Sequence, residues 1–434
     1  MRISKVSTSH LEKKLKEHEM SLVDIRPIAA YNGWRLRGEL RGGHIPGAKS
    51  IPLQWTQYMD WVEVLEEKQV NKNKPIILYG YDSDETGQMA TQLGKLGFEQ
   101  VTIYNHFVDE WVKDEARPLE QLKRYKHLVY PEWLMQLLNG QNPPEYDNEH
   151  FVICHSHYDH IEDYQKGHIP GAIALDTNSL ETTETWNRRT PKELEATLTS
   201  LGITNDTTVI VYGRFSAPVF NEEKFPGKSA GHLGAIRCAA LMLYAGVKDV
   251  RILNGGIGVW ERAGYEIETK TNKPQPVNSF GTVIPGRPHL MIDTPQAKEY
   301  IANEGAELVS IRSWEEFIGK SSGYHYIEKK GRIPGAVFGN CGSDAYHMEN
   351  YRNFDNTFRE YPEIAKKWRE AGITPDKKIA FYCGTGWRGS EAFMNAWLMG
   401  WDKASVYDGG WFEWCSDPSN PIGTGKPKEG AVIS

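Results

Sequence analysis

One pattern occurs three times in this chain, and it restricts the fold more than any single residue does. Its first part is a short β-branched run that leads to a Pro-Gly turn. Val23-Asp-Ile-Arg-Pro leads to Gly43-His-Ile-Pro-Gly-Ala48, Val152-Ile-Cys-His-Ser to Gly167-His-Ile-Pro-Gly-Ala172, and Val309-Ser-Ile-Arg-Ser to Gly331-Arg-Ile-Pro-Gly-Ala336. Its second part is an apolar strand ending in tyrosine: Ile76-Ile-Leu-Tyr-Gly80, Val209-Ile-Val-Tyr-Gly213 and Ile379-Ala-Phe-Tyr-Cys383. Its third part closes each unit: Val101-Thr-Ile-Tyr104 up to Trp111, Val250-Arg-Ile-Leu-Asn-Gly-Gly256 up to Trp260, and Ser405-Val-Tyr-Asp-Gly-Gly-Trp411. Repeats this long are not solenoid modules. Short apolar strands alternating with amphipathic helical stretches predict α/β units with mostly parallel sheets and helices on both faces. Three copies of one fold are therefore expected, with boundaries at 1–122, 123–273 and 274–434. The first break falls in a polar, charged stretch near 112–127, and the second in the proline-bearing linker 270–276.

The bulk numbers agree with several globular domains. The chain has 434 residues, of which 39% are hydrophobic, enough for more than one core. The formal net charge of -7 gives no reason to expect nucleic-acid binding. No apolar run approaches a membrane span, and the first residues lack the apolar core of a secretory signal. Five cysteines without close pairing do not suggest a disulfide framework. A reducing, cytoplasmic setting is the simplest expectation, with a periplasmic one if a leader has been removed.

The chemistry concentrates at Lys378–Ser390. Ile379–Tyr382 reads as a buried strand, Cys383 ends it, and Gly384-Thr-Gly-Trp-Arg388 leads into the helical pattern Glu391–Met399. Backbone N–H groups at such a turn lack helical partners and converge on one spot. Their positive field favours thiolate, which makes Cys383 the candidate nucleophile. Gly384 and Gly386 allow the backbone to curl, and Arg388 adds a permanent cation. The bland alternative is a small buried residue ending a strand. The matching positions in the other units are Gly80 and Gly213, which carry no side chain to hold sulfur. Units one and two are accordingly expected to be structural or docking domains, and unit three the only enzyme.

The loop Cys383-Gly-Thr-Gly-Trp-Arg388 resembles the active-site loop of the rhodanese (sulfurtransferase) superfamily, and the whole-chain pattern is similar to the three-domain rhodaneses. The related cysteine phosphatases place one more residue between cysteine and arginine, so the short loop argues for sulfur over phosphate. The resemblance implies sulfur transfer from thiosulfate or a 3-mercaptopyruvate-like donor, through a Cys383 persulfide, to a thiol, cyanide or protein acceptor. It implies that Gly384, Thr385, Gly386, Trp387 and Arg388 line the substrate site, with Trp387 at the mouth, and that Arg312 anchors the donor's negative group. The bland reading of Arg312 is a salt bridge. An alternative function is a sulfur-relay or docking scaffold that carries the persulfide for a partner protein without fast small-molecule turnover.

Other features of the sequence carry less chemistry. Cys154-His-Ser-His-Tyr-Asp-His160 has metal-ligating residue types, but they crowd into one stretch with no second ligand pair. An ordinary polar loop is expected there, and no metal or cofactor. Cys341 could lie near the site, with a structural role expected. Cys238 reads as core, and Cys415 has no partner signal. His44 and His168 precede Ile-Pro-Gly, but Arg332 replaces them in unit three, so no catalytic histidine is expected at that turn.

Overall fold

The computed structural model describes residues 4–17, 19–215 and 231–427. It contains three five-stranded sheets, every strand pairing of which is parallel. The first holds β1 (Ser4–Lys5), β2 (Ser21–Asp24), β3 (Lys49–Ser50), β4 (Ile76–Tyr79) and β5 (Val101–Tyr104) in the order β1-β5-β4-β2-β3. The second holds β6 (Leu128–Val129), β7 (Phe151–His157), β8 (Ile173–Asp176), β9 (Thr208–Gly213) and β10 (Asp249–Leu253) in the order β6-β10-β9-β7-β8. The third holds β11 (Met291–Ile292), β12 (Ala306–Ser310), β13 (Val337–Phe338), β14 (Lys378–Tyr382) and β15 (Ala404–Tyr407) in the order β11-β15-β14-β12-β13. The repeat in the sequence is thus a repeat in topology.

Parallel strands covered by helices on both faces lose water on both sides, so they read as continuous apolar runs. That is why β4 and β9 are buried along their whole length and β14 at all but its first residue. In the first two units the tyrosine ending the run has a specific task. The Ile45 N–H donates to the Tyr79 hydroxyl at 3.1 Å, and the Ile169 N–H donates to the Tyr212 hydroxyl at 2.9 Å. These isoleucines belong to the Ile-Pro-Gly turns, so the second part of the pattern ties down the first. The turns also pair antiparallel with the end of each unit, through His44–Glu120, His168–Glu268 and Arg332–Gly423. His44 and His168 stack on Tyr31 and Tyr164 and bond those residues' carbonyls through Nδ1 at 2.9 Å. Burial pushes His44 down to about 4. Both imidazoles hold the turn.

The chain divides into two compact bodies, 1–126 and 127–434. In the second body the helices that follow β9 and β14, Gly231–Ala245 and Trp387–Leu398, pack on each other. Every residue of Gly231–Ala245 is buried, as expected of a helix with almost no polar face. Residues 216–230, between Arg214 and this helix, and 428–434 lie outside the described residues.

Gly80 and Gly213 differ from Cys383 in space as well as chemistry. A Cβ at Gly80 would lie 2.7 Å from the Ile25 side chain, whereas one at Gly213 would lie 2.2 Å from the Gly231 carbonyl oxygen and 2.6 Å from the His232 amide nitrogen. A side chain can rotate away, and a backbone in a packed helix cannot. Overpacking costs about 1–3 kcal/mol. Gly213→Ala is expected near the top of that range and Gly80→Ala near the bottom. Urea unfolding of the two variants checks the order, and equal midpoints would contradict it.

Candidate active site

Cys383 stands at the carboxyl end of β14, and Arg312 follows the carboxyl end of β12. Between these neighbouring strands the winding of the sheet reverses, the place where open parallel sheets form their crevices. Cys383 is fully buried. After it, Gly386 takes a left-handed conformation (φ 90°) and caps a helix that starts at Trp387, four residues before the helical pattern becomes apparent in the sequence. The Ser390 N–H and hydroxyl both donate to the Gly386 carbonyl at 2.8 Å.

The loop is held from outside by the third part of the repeat. The Trp411 N–H donates to the Cys383 carbonyl at 2.8 Å, and the Phe412 N–H to the Gly384 carbonyl at 2.9 Å. In a trans peptide the C=O and the following N–H point opposite ways. Fixing these two carbonyls therefore turns the Gly384 and Thr385 N–H groups away from the clamp, into the loop. Gly410 (φ 53°) permits the approach, since a Cβ there would sit 2.7 Å from the Gly384 oxygen.

Both predicted arginines are engaged by one carboxylate that the sequence reading overlooked. Arg388 makes a fork on Glu316, Nη1 to Oε2 and Nη2 to Oε1, each 2.9 Å. Its Nη2 also reaches the Tyr324 hydroxyl at 2.8 Å, and its Nη1 lies 3.1 Å from the Cys341 sulfur. Only its Nε is buried without a hydrogen-bond partner among the described residues. Arg312 donates to Glu316 Oε1 (3.1 Å), to the Gly331 carbonyl (2.7 Å) and to the Ser322 carbonyl (3.3 Å), and its guanidinium faces the Trp411 ring. Burial opposes ionisation of Glu316, but Arg388 and then Arg312 outweigh it and hold the carboxyl down at about 2. The available signal was Ser313-Trp-Glu-Glu316, a capping box, which the helix Trp314–Phe317 indeed carries.

Arg312 has a counterpart in unit one, where Arg26 donates to the Gly43 carbonyl at 2.7 Å. In unit two His155 stands at that position, and Arg214, from the end of β9, donates to the Gly167 carbonyl at 2.8 Å; both glycines match Gly331. An arginine tying down this glycine in all three units is an architectural feature, and it accounts for Arg312 without a ligand.

The rest of the surroundings is aromatic. Tyr324 packs flat on Gly384, where a Cβ would come within 2.2 Å of its ring. Tyr326 lies 5.2 Å from Tyr324 and 4.7 Å from Trp186 between ring centres, with Tyr346 and Phe412 at the edges. Thr385 bonds Tyr326. Burial, with a thiolate at Cys383 adding to it, raises the Tyr324 and Tyr326 phenols above their ordinary range, so both stay protonated. Trp387 points to the second sheet's domain, where its indole N–H donates to Glu181 at 2.8 Å, and it is almost fully buried. Cys341 does sit at the site, and burial pushes its thiol up to about 11. Cys238 is core, and Cys415 is buried beside Phe412.

The Cys154–His160 stretch is β7 and the turn after it, so Cys154 and His155 face opposite sides of the sheet. Burial raises the Cys154 thiol to about 12 and lowers His155. Among the described residues, the one group of ligand-capable atoms close enough to share an ion is His106, Asp109 and Glu110 in the first body, mostly exposed, and it includes none of the Cys154–His160 residues.

A parallel sheet carrying a buried cysteine in an amide-lined turn at its switch point defines a thiol-based transferase site. The chain belongs to the family of the rhodanese-like domain, whose model matches it three times, at 7–114, 131–263 and 293–417, and it is a sulfurtransferase. It is 39% identical over 417 residues to the thiosulfate sulfurtransferase YnjE of Escherichia coli K12, covering 95% of this chain and 91% of that one. It is also similar to thiosulfate/3-mercaptopyruvate sulfurtransferase 2 of Arabidopsis thaliana, at 26% identity over 68% of this chain and 86% of that one. The wild-type structure of EanB matches with a TM-score of 0.96 at 50% identity, covering 98% of this chain and 99% of that one. A further EanB structure, equally similar and covering 98% of this chain and 100% of that one, holds a cysteine persulfide in a tetrahedral intermediate state with ergothioneine. Among the described residues no helix is long and apolar enough to cross a membrane.

Glu316→Gln leaves two buried guanidinium groups short of a charge. Breaking such a buried pair costs about 3–5 kcal/mol. The unfolded carboxyl titrates near 4.5 and the folded one at about 2. The stabilisation is therefore complete above the first value and lost as pH falls through the second. Melting curves of the variant and the parent are expected to lie far apart at neutral pH and to converge as pH drops from about 5 towards 2. A gap independent of pH would mean that the carboxylate charge contributes nothing.

Proposed function

We propose that Cys383 receives a sulfane sulfur as a persulfide and passes it to a small imidazole acceptor that bears a trimethylammonium group, of the hercynine type. The thiolate attacks the outer sulfur of a persulfide or polysulfide donor, the donor's S–S bond breaks, and the donor leaves as its thiolate. The acceptor carbon then takes the terminal sulfur, its C–H proton goes to solvent, and Cys383 thiolate is released. The sulfane sulfur is itself the oxidant, so no further one is needed. Loop N–H groups stabilise the anionic sulfur in both steps, and Gly384, Thr385 and Gly386 supply the turn.

The observation that carries this reading is the combination of spent arginines and an aromatic wall. A dianion such as thiosulfate would have to compete with Glu316 for Arg388 and Arg312. Tyr324 and Tyr326 instead stand near Cys383, and Trp186, Tyr346 and Phe412 pack against these two rings. Such faces attract a trimethylammonium group by about 0.5–2 kcal/mol. Hercynine and ergothioneine, the molecules in the EanB structures, differ by one sulfur on an imidazole ring. Trp387 and Arg312 act in this scheme as supports and not as contacts to substrate. Units one and two, at 1–122 and 123–273, carry no sulfur, because Gly80 and Gly213 stand where the nucleophile would be.

The second reading is thiosulfate as donor with cyanide or a thiol as acceptor, supported by the similarity to YnjE along nearly the whole chain. Cys383 plays the same part in it. A protein acceptor, or passive relay to a partner, uses the same persulfide.

Intact-mass spectra after polysulfide exposure are expected to gain sulfur in the parent protein and not in Cys383→Ser. The loaded parent is expected to convert hercynine to ergothioneine, read by chromatography with mass detection, faster than it converts cyanide to thiocyanate with thiosulfate. Sulfur on the serine variant would remove Cys383 from the mechanism. Rapid thiocyanate formation without ergothioneine would replace the first reading by the second.

A further inference from the structure

The turn that carries Cys383 is gripped by the preceding domain as well as its own. We propose that Glu181, in the second domain, is a positioning residue for that turn and acts through Trp387. The inference rests on the reading that Cys383 carries the sulfur.

Glu181 is fully buried and accepts two bonds, from the Trp387 indole N–H at 2.8 Å and from Arg237 Nε at 3.1 Å. Burial pushes its carboxyl up to about 7, against the pull of Arg237. Trp387 is the first residue of the helix after Cys383 and immediately precedes Arg388, the residue held by Glu316. Its indole therefore fixes the helix start on one side, and the Arg388–Glu316 fork fixes it on the other. The Tyr158 ring meets the indole edge-on at 5.4 Å, so both anchors of Trp387 come from the second domain.

Arg237 extends the grip to the other end of the loop. Its Nη2 donates to Asp408 at 2.6 Å, and its Nη1 reaches the Ser390 hydroxyl at 3.5 Å. Asp408 also accepts from Arg188 Nη1 and from the Arg188 backbone N–H, each at 2.9 Å. Asp408 lies just before the Trp411 and Phe412 amides that clamp the Cys383 and Gly384 carbonyls. Helix start and amide clamp are thus referenced to one buried charge chain, Glu181–Arg237–Asp408–Arg188. Such a chain orients the loop amides more tightly than a surface bridge could, because in a dry site each bond is strong and each loss is costly. The bond to Trp387 is the only part of the chain that reaches the loop helix through a residue of no other evident use.

The test is a double-mutant cycle on the full chain: Glu181→Ala, Trp387→Phe and the pair. The readout is single-turnover transfer of sulfur from the polysulfide-loaded enzyme to cyanide. Each single variant is expected to lose about tenfold in rate at saturating cyanide, the scale of a small misplacement of reacting groups. The half-saturating cyanide concentration should stay nearly unchanged. The pair should be no slower than the slower single variant, because both substitutions break the same bond. Multiplying effects, or a rate within twofold of the parent in either single variant, would overturn the proposal. Trp387→Phe leaves the Glu181–Arg237 pair intact, so if Glu181→Ala does not fold, Trp387→Phe decides alone. Sulfur loading of the Cys383→Ser variant, measured separately, tells failure of the underlying reading from failure of this one.

Discussion

Glu316 shared between Arg388 and Arg312 is the constraint on which the rest of the site depends. Three charges with almost no exposure stand together, and none is tolerable there without the others. The triad fixes the first turn of the helix after Cys383, packs Tyr324 over the loop through its hydroxyl, and closes the glycine turn at Gly331. It also sets the chemistry. A loop that ends in arginine suggests a cation offered to an anionic donor. With the guanidinium fork already filled, Arg388 has only its Nε left to offer, and the peptide N–H groups of the loop supply dipoles that suit a diffuse monoanion such as a persulfide.

Comparison of the three units separates scaffold from chemistry. Features common to all three serve architecture: the arginine on Gly43, Gly167 or Gly331, and the Ile-Pro-Gly turn paired to the unit's last segment. The tyrosine at the end of the central strand belongs here too, with its hydroxyl bond to the turn seen at Tyr79 and Tyr212. Among the described residues, features confined to the third unit are Cys383 and the amide clamp of Trp411 and Phe412 on the Cys383 and Gly384 carbonyls. An arginine that recurs beside glycine as readily as beside cysteine is poor evidence of catalysis, and Arg312 illustrates it.

This comparison explains what could be read from the chain alone. The sheets, their number and the place of Cys383 follow from local signals: apolar runs ending in tyrosine, Pro-Gly turns and a glycine-bearing turn before a helical pattern. Each is a statement about neighbours in sequence. Glu316 was in reach through its capping box, but its pairing with Arg388, 72 residues on, is a tertiary fact. The destination of Trp387 was further out of reach, since a tryptophan in a loop looks the same whether it lines a mouth or crosses to another domain. The His-rich stretch after Cys154 suggested a loop, and β-branched neighbours in a fully buried sheet made it a strand instead. There the alternation of side chains splits the imidazoles from the thiol.

The packing of the second unit on the third gives a physical reason for their different fates. The helices Gly231–Ala245 and Trp387–Leu398 are the same element in two copies, and they pack on each other. A helix that follows a nucleophile position can be used in two ways: it can direct its free N–H groups at a reacting sulfur, or it can give up that space to packing. In the second unit, backbone at Gly231 and His232 closes on Gly213, and no thiol fits. In the third, the left-handed Gly386 starts the helix, Gly410 admits the amide clamp on the Cys383 and Gly384 carbonyls, and further bonds come from outside the unit, at Trp387 and Asp408. A domain without its own nucleophile thus still supplies bonds to the turn that carries Cys383, through Glu181 to Trp387 and Arg237 to Asp408.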